Sequence, residues 1–307
     1  MSFDTQSPSR LTESDLVYAF RTSPVAIVAA AVMAMIVLGA VLAPWIAPSN
    51  PFDPAQVNLM DGRTPPMGTS MLGNTFLLGT DTQGRDILST VLYGSRTSLV
   101  VAVLATLFAL VLGLSLGISA GYFGGAIDSV IMRIVDVQLS FPAILIALLV
   151  FGITSGFLSA EHQETAAKWV LIVSLGLANW APFARTARSA AMIERRKDYI
   201  SAAQLLGVNR FRILGTHVLP NVVSPVMVLA TISLAIAVIE EATLSFLGVG
   251  VPPTQPSLGT LIRIGQQYLF SGEWWILFFP ALVLVMLALS VNLLGDWLRD
   301  ALNPKLK

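Results

Sequence analysis

The 307-residue chain contains no cysteine, only two histidines, and charge on just 12% of its residues. Without cysteine there is no disulfide, no thiolate metal site and no thiol nucleophile. A soluble globular chain carries about 25% charged residues. Half that amount leaves too few ionic groups to cover a water-exposed surface of this size. Net charge is also missing: 18 basic and 18 acidic residues cancel, so total charge points to no nucleic acid or other polyanionic partner. What fills the chain instead is apolar sequence. Hydrophobic residues make up 55% and the mean hydropathy is +0.75. That composition excludes disorder and predicts an all-α polytopic membrane protein.

A bilayer core of about 30 Å takes roughly 20 apolar residues. Six stretches meet that requirement: 25–47, 98–120, 131–153, 168–185, 222–241 and 275–297. The first is too long for the apolar region of a cleaved signal peptide. The fourth is the shortest, with 16 uncharged residues between Lys168 and Arg185, whose side chains can snorkel to the interfaces. Trp274, Trp275 and Trp297 are expected to form an aromatic belt around the sixth. If residues 1–24 lie inside, the inner segments hold 13 of the basic residues and the outer segments 5. This places both termini in the cytoplasm, with a tail at 298–307. The outer loops are then 48–97, irregular and rich in proline and glycine, and 248–273. An interfacial helix starting at Thr80 or Asp81 is expected before the second span. Leu11 to Arg21 reads either as a short helix on the inner leaflet or as a plain tail.

The inner loop 186–220 stands out, because Arg185 to Pro220 carries seven of the 13 inner basic residues. Ser201, Ala202, Ala203 and Leu206 are compatible with a helix, and Gly207 suits the left-handed position after its end. Val208 follows, and Asn209 is a good cap for a second helix beginning Arg210-Phe211. Ala202 and Ala203 should leave one face flat enough for close approach by another protein. A capped two-helix knob is expected.

This pattern resembles the EAA loop of ABC-importer permeases: Ala202-Ala203, Gly207, then nine residues to His217-Val-Leu-Pro220. The leading glutamate of that family is Ser201 here, and its usual aliphatic residue before x-Leu-Pro is His217. Four further ordered motifs are similar to the dipeptide/oligopeptide branch. They are Leu78-Gly-Thr-Asp-Thr-Gln-Gly-Arg-Asp86, Gly121-Tyr-Phe-Gly-Gly125 with Ser140-Phe-Pro142, Leu244-Ser-Phe-Leu-Gly248, and Asn292-Leu-Leu-Gly-Asp-Trp297 through Pro304. The "C"-type subunit is the nearest resemblance. It implies a type I ABC-importer permease fold with a single permease domain over about 96–300, in the bacterial cytoplasmic membrane. It also implies a second homologous permease subunit, two ATPase subunits that bind ATP and Mg, and an extracytoplasmic substrate-binding protein. Ser201, Ala202, Ala203, Leu206, Gly207, Val208, Asn209, Arg210 and Phe211 would be the residues that dock into the ATPase. The permease itself would hold no cofactor and would not be an enzyme. Consistently, the phosphate-binding Gly-x-x-x-x-Gly-Lys-Ser/Thr sequence is absent. Peptides are the implied substrate, while the same branch also takes nickel chelates, glutathione and other small solutes.

Three carboxylates lie near span ends. Glu240 and Glu241 are either solvated or paired with Arg263, or else one faces the translocation path and attracts a substrate ammonium group. Arg133 and Asp136, three apart, are expected to pair on one helix face; a gate contact is the alternative for Asp136. Gly113 and Gly117 permit close helix approach, with the partner permease as one candidate. His162 beside Glu161 and Glu164 reads as a solvated loop rather than a metal site. A proton-coupled secondary transporter is the competing function; it would need an ionisable chain at mid-span.

Overall fold

The computed structural model describes residues 13–157, 160–252 and 254–301. Helices dominate: α1 (Glu13–Thr22), α2 (Pro24–Val41), α3 (Ala43–Ile46), α4 (Ile87–Phe123), α5 (Gly125–Leu139) and α6 (Ala143–Gly156) form the first half. The second half holds α7 (Ala160–Arg195), α8 (Asp198–Leu205), α9 (Arg210–Ile213), α10 (Leu219–Phe246), α11 (Leu258–Gln266) and α12 (Trp275–Ala301). Two short antiparallel strands, β1 (Gly68–Thr69) and β2 (Thr75–Phe76), sit in the 48–86 segment.

Five helices are long and apolar enough to cross a membrane, and α5 with α6 makes a sixth candidate bent by 99°. The stretch 131–153 is therefore not one straight helix. Pro142 has no N–H to continue the ladder and disfavours helix at the residue before it. The chain turns at Ser140 and Phe141 and restarts with Pro142 as the cap of α6. α4, α7, α10 and α12 overrun the apolar stretches, because hydrogen bonding does not stop where hydrophobicity does, whereas the first stretch breaks at Leu42 between α2 and α3. The 36 residues of α7 measure about 54 Å at 1.5 Å per residue, far beyond a bilayer core.

Local chemistry explains the helix ends. Ser23 caps α2 through Ala26, and Pro24 occupies its first position. The start of α4 is Ile87 rather than Thr80 or Asp81, because Asp86 accepts from the Ser89 N–H at 2.8 Å and from its hydroxyl at 2.6 Å. Asp81 is committed elsewhere, in a buried ion pair with Arg85 at 2.6 Å. Residues 87–97 are thus the first turns of a long helix, not loop.

The central seam is α4 against α7. Gly113, Gly117 and Gly121 lie four apart, and a side chain on any of them would meet Trp180, Ala184 or Arg188 backbone on α7. The expectation of a partner contact through Gly113 and Gly117 is corrected: these glycines are consumed inside the chain. Ala184, Ala187 and Ala191, all fully buried, face them. Without a hydrophobic effect between helices in lipid, such close backbone approach is what favours their packing.

Pro182 lies inside α7 and cannot donate to the Ala178 carbonyl. Gln138 of α5 fills that gap, donating to the Ala178 and Leu177 carbonyls at 2.9 and 2.7 Å. Arg188 of α7 forms a two-bond pair with Asp128 of α5. Asp136 pairs with Arg185 at 2.6 Å, not with exposed Arg133. The long helix α7 reaches Asp136 from the side while its own helix presents Arg133 to the outside.

At the opposite end of the bundle, the 48–86 segment is pinned to α12. Trp275 is buried and its indole N–H donates to the Thr80 carbonyl at 3.0 Å. Of the expected belt, only Trp274 is exposed at that end, at 48%; Trp297 packs edge-on against Phe20 of α1.

Candidate coupling site

The knob between α7 and α10 is built from a buried base and an exposed crest. Ile200, Ala203 and Ile213 are buried in the same apolar cluster as Ile118, Phe183 and Val222 of the bundle. They fasten the knob to the bundle. Lys197 pairs with Glu194 at 2.7 Å across the α7–α8 corner.

The turn is a complete Schellman motif. Gly207 has φ +73°, its N–H donates to the Gln204 carbonyl at 3.0 Å, and the Val208 N–H reaches Ala203 at 3.1 Å. Only glycine adopts this backbone without penalty. Asn209 then caps α9, accepting from the Phe211 N–H at 2.9 Å. The last residues before α10, Leu214–Val218, form a single π turn, so knob and helix are continuous in backbone.

The predicted residues divide into two sets. Ala203 and Val208 face inward, so the pair Ala202-Ala203 does not form an exposed flat face; only Ala202 does. An eight-residue helix anchored through Ile200 must also bury the position one turn on. Ser201, Ala202, Gly207, Asn209 and Arg210 are exposed. The most prominent features are Leu206 and Phe211, at 83% and 73% exposure, together with Leu205 at 90%. Leu205 was missed in the sequence. Its signal was its place four residues after Ser201, on the face opposite Ile200. Such a cluster of apolar side chains raised on a charged loop is the signature of a protein contact.

The carboxylates are not brought to one site. Glu241 is fully buried and accepts from the Ser245 hydroxyl at 2.8 Å, with Ser98 of α4 and Ser257 beside it. It lies where α10 meets α4 and the start of α11. Glu240, partly buried, accepts from Asn179 of α7 at 2.6 Å. Neither pairs with Arg263, whose guanidinium lies against Gly248. Glu241 is therefore not exposed on any surface of the described residues. Asp136 is exposed and neutralised by Arg185. His217 packs edge-on against Tyr199 at 5.9 Å. The His162 side chain lies outside the described ones, and among the described residues no group of three metal-ligating side chains occurs.

The structure is a multi-pass helical body with a capped knob fastened to its core. The chain belongs to the family described as binding-protein-dependent transport system inner membrane component, whose model matches residues 113–307. Residues 14–66 match the N-terminal TM domain of oligopeptide transport permease C. The Di/tripeptide transport system permease protein DppC of Pseudomonas aeruginosa is 34% identical, covering 90% of this chain and 86% of its own length. The Dipeptide transport system permease protein DppC of Escherichia coli is 36% identical over 94% of this chain and 91% of its own. Among solved structures, a chain of the MetNI methionine ABC transporter in inward-facing conformations superposes with a TM-score of 0.54. It covers 70% of this chain and 97% of that one at 21% identity, a likeness of fold.

Proposed function

We propose that this chain is the pore-forming permease subunit of an ATP-driven importer of dipeptides and oligopeptides. It works beside a second, homologous permease, two ATPase subunits and an extracytoplasmic substrate-binding protein. The observation that carries the coupling role is the knob, whose exposed Leu205, Leu206 and Phe211 stand on a buried base of Ile200, Ala203 and Ile213. Apolar side chains are what an ATPase cleft would grip, and the base in the bundle cluster is what would transmit the grip. The π turn joining α9 to α10 makes that helix the first to feel knob movement. Substrate class rests on the two peptide-permease relatives, each matched over about nine-tenths of this chain.

In this arrangement the knob end faces the cytoplasm, in keeping with the excess of basic residues on that side. ATP and Mg stay on the ATPase subunits, and this chain supplies the path and the lever. Asp136 with its Arg185 partner, and Glu240, are the polar groups of the bundle best placed to meet substrate. Reconstituting the purified complex with its binding protein in sealed vesicles tests the reading. Dipeptide uptake should require ATP and the binding protein. Uptake driven by a proton gradient without ATP would overturn it.

A further inference from the structure

The 48–86 segment carries more carboxylates than it can pair. Its acidic residues are Asp53, Asp61, Asp81 and Asp86, against Arg63 and Arg85 and no lysine. Arg85 is engaged by Asp81 at 2.6 Å and Arg63 by Glu273 at 3.4 Å. Asp53 is spent on its own turn, accepting from the Ala55 N–H and the Gln56 amide, both at 3.0 Å. Asp61 and Asp86 are left without a cation among the described residues, although they are only 5% and 3% exposed. Both line one polar cleft of about 510 Å³.

The backbone brings these two residues together. The Thr80 hydroxyl donates to the Asp61 carbonyl at 2.6 Å, and Thr80 bridges to Asp86 as an antiparallel pair. Gly84 lies so close to Asn58 that a side chain there would overlap the Asn58 carbonyl. Asp86 commits Oδ2 to the Ser89 N–H and hydroxyl, and its Oδ1 has no donor among the described residues. Asp61 accepts from the Asn74 amide through Oδ2 at 3.1 Å, and its buried Oδ1 has no donor either. A buried carboxylate oxygen lacking both donor and cation is costly. Gln56 and Asn74 add amide oxygens to the lining, which holds no histidine or methionine.

We propose that the cleft binds a calcium ion through the Oδ1 atoms of Asp61 and Asp86, with amide and backbone oxygens of the lining completing the shell. Oxygen donors alone select a hard cation. An irregular segment suits the flexible coordination of calcium better than the strict octahedron of magnesium. The ion clasps the 56–62 turn to the start of α4. Under the orientation proposed above this is the extracytoplasmic side, and the binding does not depend on which substrate is carried.

The test uses full-length protein purified with its accompanying subunits, stripped with a chelator in phosphatidylcholine nanodiscs and titrated with terbium. Tryptophan sensitises terbium emission, and Trp275 is the antenna, since its indole donates to the Thr80 carbonyl at 3.0 Å. Calcium chloride should displace the terbium with a dissociation constant of about 10⁻⁴–10⁻³ M, and magnesium chloride should need at least about tenfold more. Asp61→Asn with Asp86→Asn keeps acceptors for Asn74 and for the start of α4, and should weaken calcium by at least about tenfold. Asp300→Asn, exposed near the end of α12, should leave the titration unchanged. The parent titration stands whether or not the double variant folds: no calcium-displaceable terbium there would overturn the assignment. Equal displacement by magnesium, or in the double variant, would overturn it too. So would weaker association of the binding protein in the double variant with no calcium response in the parent, which would give these carboxylates to a basic side chain of that partner.

Discussion

Replacing Gly113 by alanine adds one methyl group inside the close-packed α4–α7 seam. That carbon would sit 2.5 Å from both the Trp180 carbonyl oxygen and the Phe183 Cβ, where ordinary contact begins at 3.4 Å. The shortfall is close to 1 Å, and neither neighbour can rotate away, one being backbone and the other the root of a fully buried side chain. The helices must part, as in other overpacked interiors, at about 1–3 kcal/mol. Gly152 of α6 provides the control, since nothing lies within 4 Å of a methyl placed there. At that site alanine should gain up to about 1 kcal/mol from helix propensity. The two variants should therefore differ by about 1–4 kcal/mol, with opposite signs. Thermal unfolding in detergent, followed by size exclusion, compares them directly. Equal midpoints, or a greater loss at Gly152, would refute the idea that the glycine seam sets the spacing of the bundle.

Other substitutions follow from the polar contacts. Arg188→Ala should cost about 1.5–3 kcal/mol, because it breaks a partly buried two-bond pair with Asp128. Arg185→Ala, whose pair with Asp136 is more than half exposed on both sides, should cost under about 1 kcal/mol by the same unfolding assay. Gln138→Ala should leave the Ala178 carbonyl unpaired and cost about 1–3 kcal/mol, and combining it with Pro182→Ala, which restores the natural donor, should recover most of the loss. Glu241→Gln should fold and retain the Ser245 contact, whereas Glu241→Ala should reduce the yield of folded protein and lower its midpoint.

The spans were legible because charge-free runs of bilayer length are hard to mistake, and the knob because Gly207 and Asn209 carry specific backbone roles. The failures have one source: sequence patterns along the chain say little about what lies across it. Asp136 had a nearby candidate in Arg133, but the partner came from Arg185, 49 residues on. Glu241 read as an interfacial charge and is instead fully buried among serines from α4, α10 and the 257 turn. Ala203 was assigned to the exposed face with Ala202, although adjacent residues on a helix point about 100° apart and Ile200 had already claimed the inner side. The α5–α6 bend was readable from Pro142, whose effect on the preceding residue ends a helix. Its angle was not, since that depends on how α6 packs over α7.

Coupling through the knob is the central claim, and one measurement addresses it most directly. The triple variant Leu205→Ser, Leu206→Ser, Phe211→Ser removes the crest while leaving Ile200, Ala203 and Ile213 in place. In the reconstituted complex, ATP hydrolysis and dipeptide uptake are measured on the same vesicles. Uptake should fall by at least roughly tenfold, corresponding to about 1.4 kcal/mol or more of lost contact, with the permease still folded and membrane-inserted. Uptake per ATP equal to that of the parent protein would contradict the account.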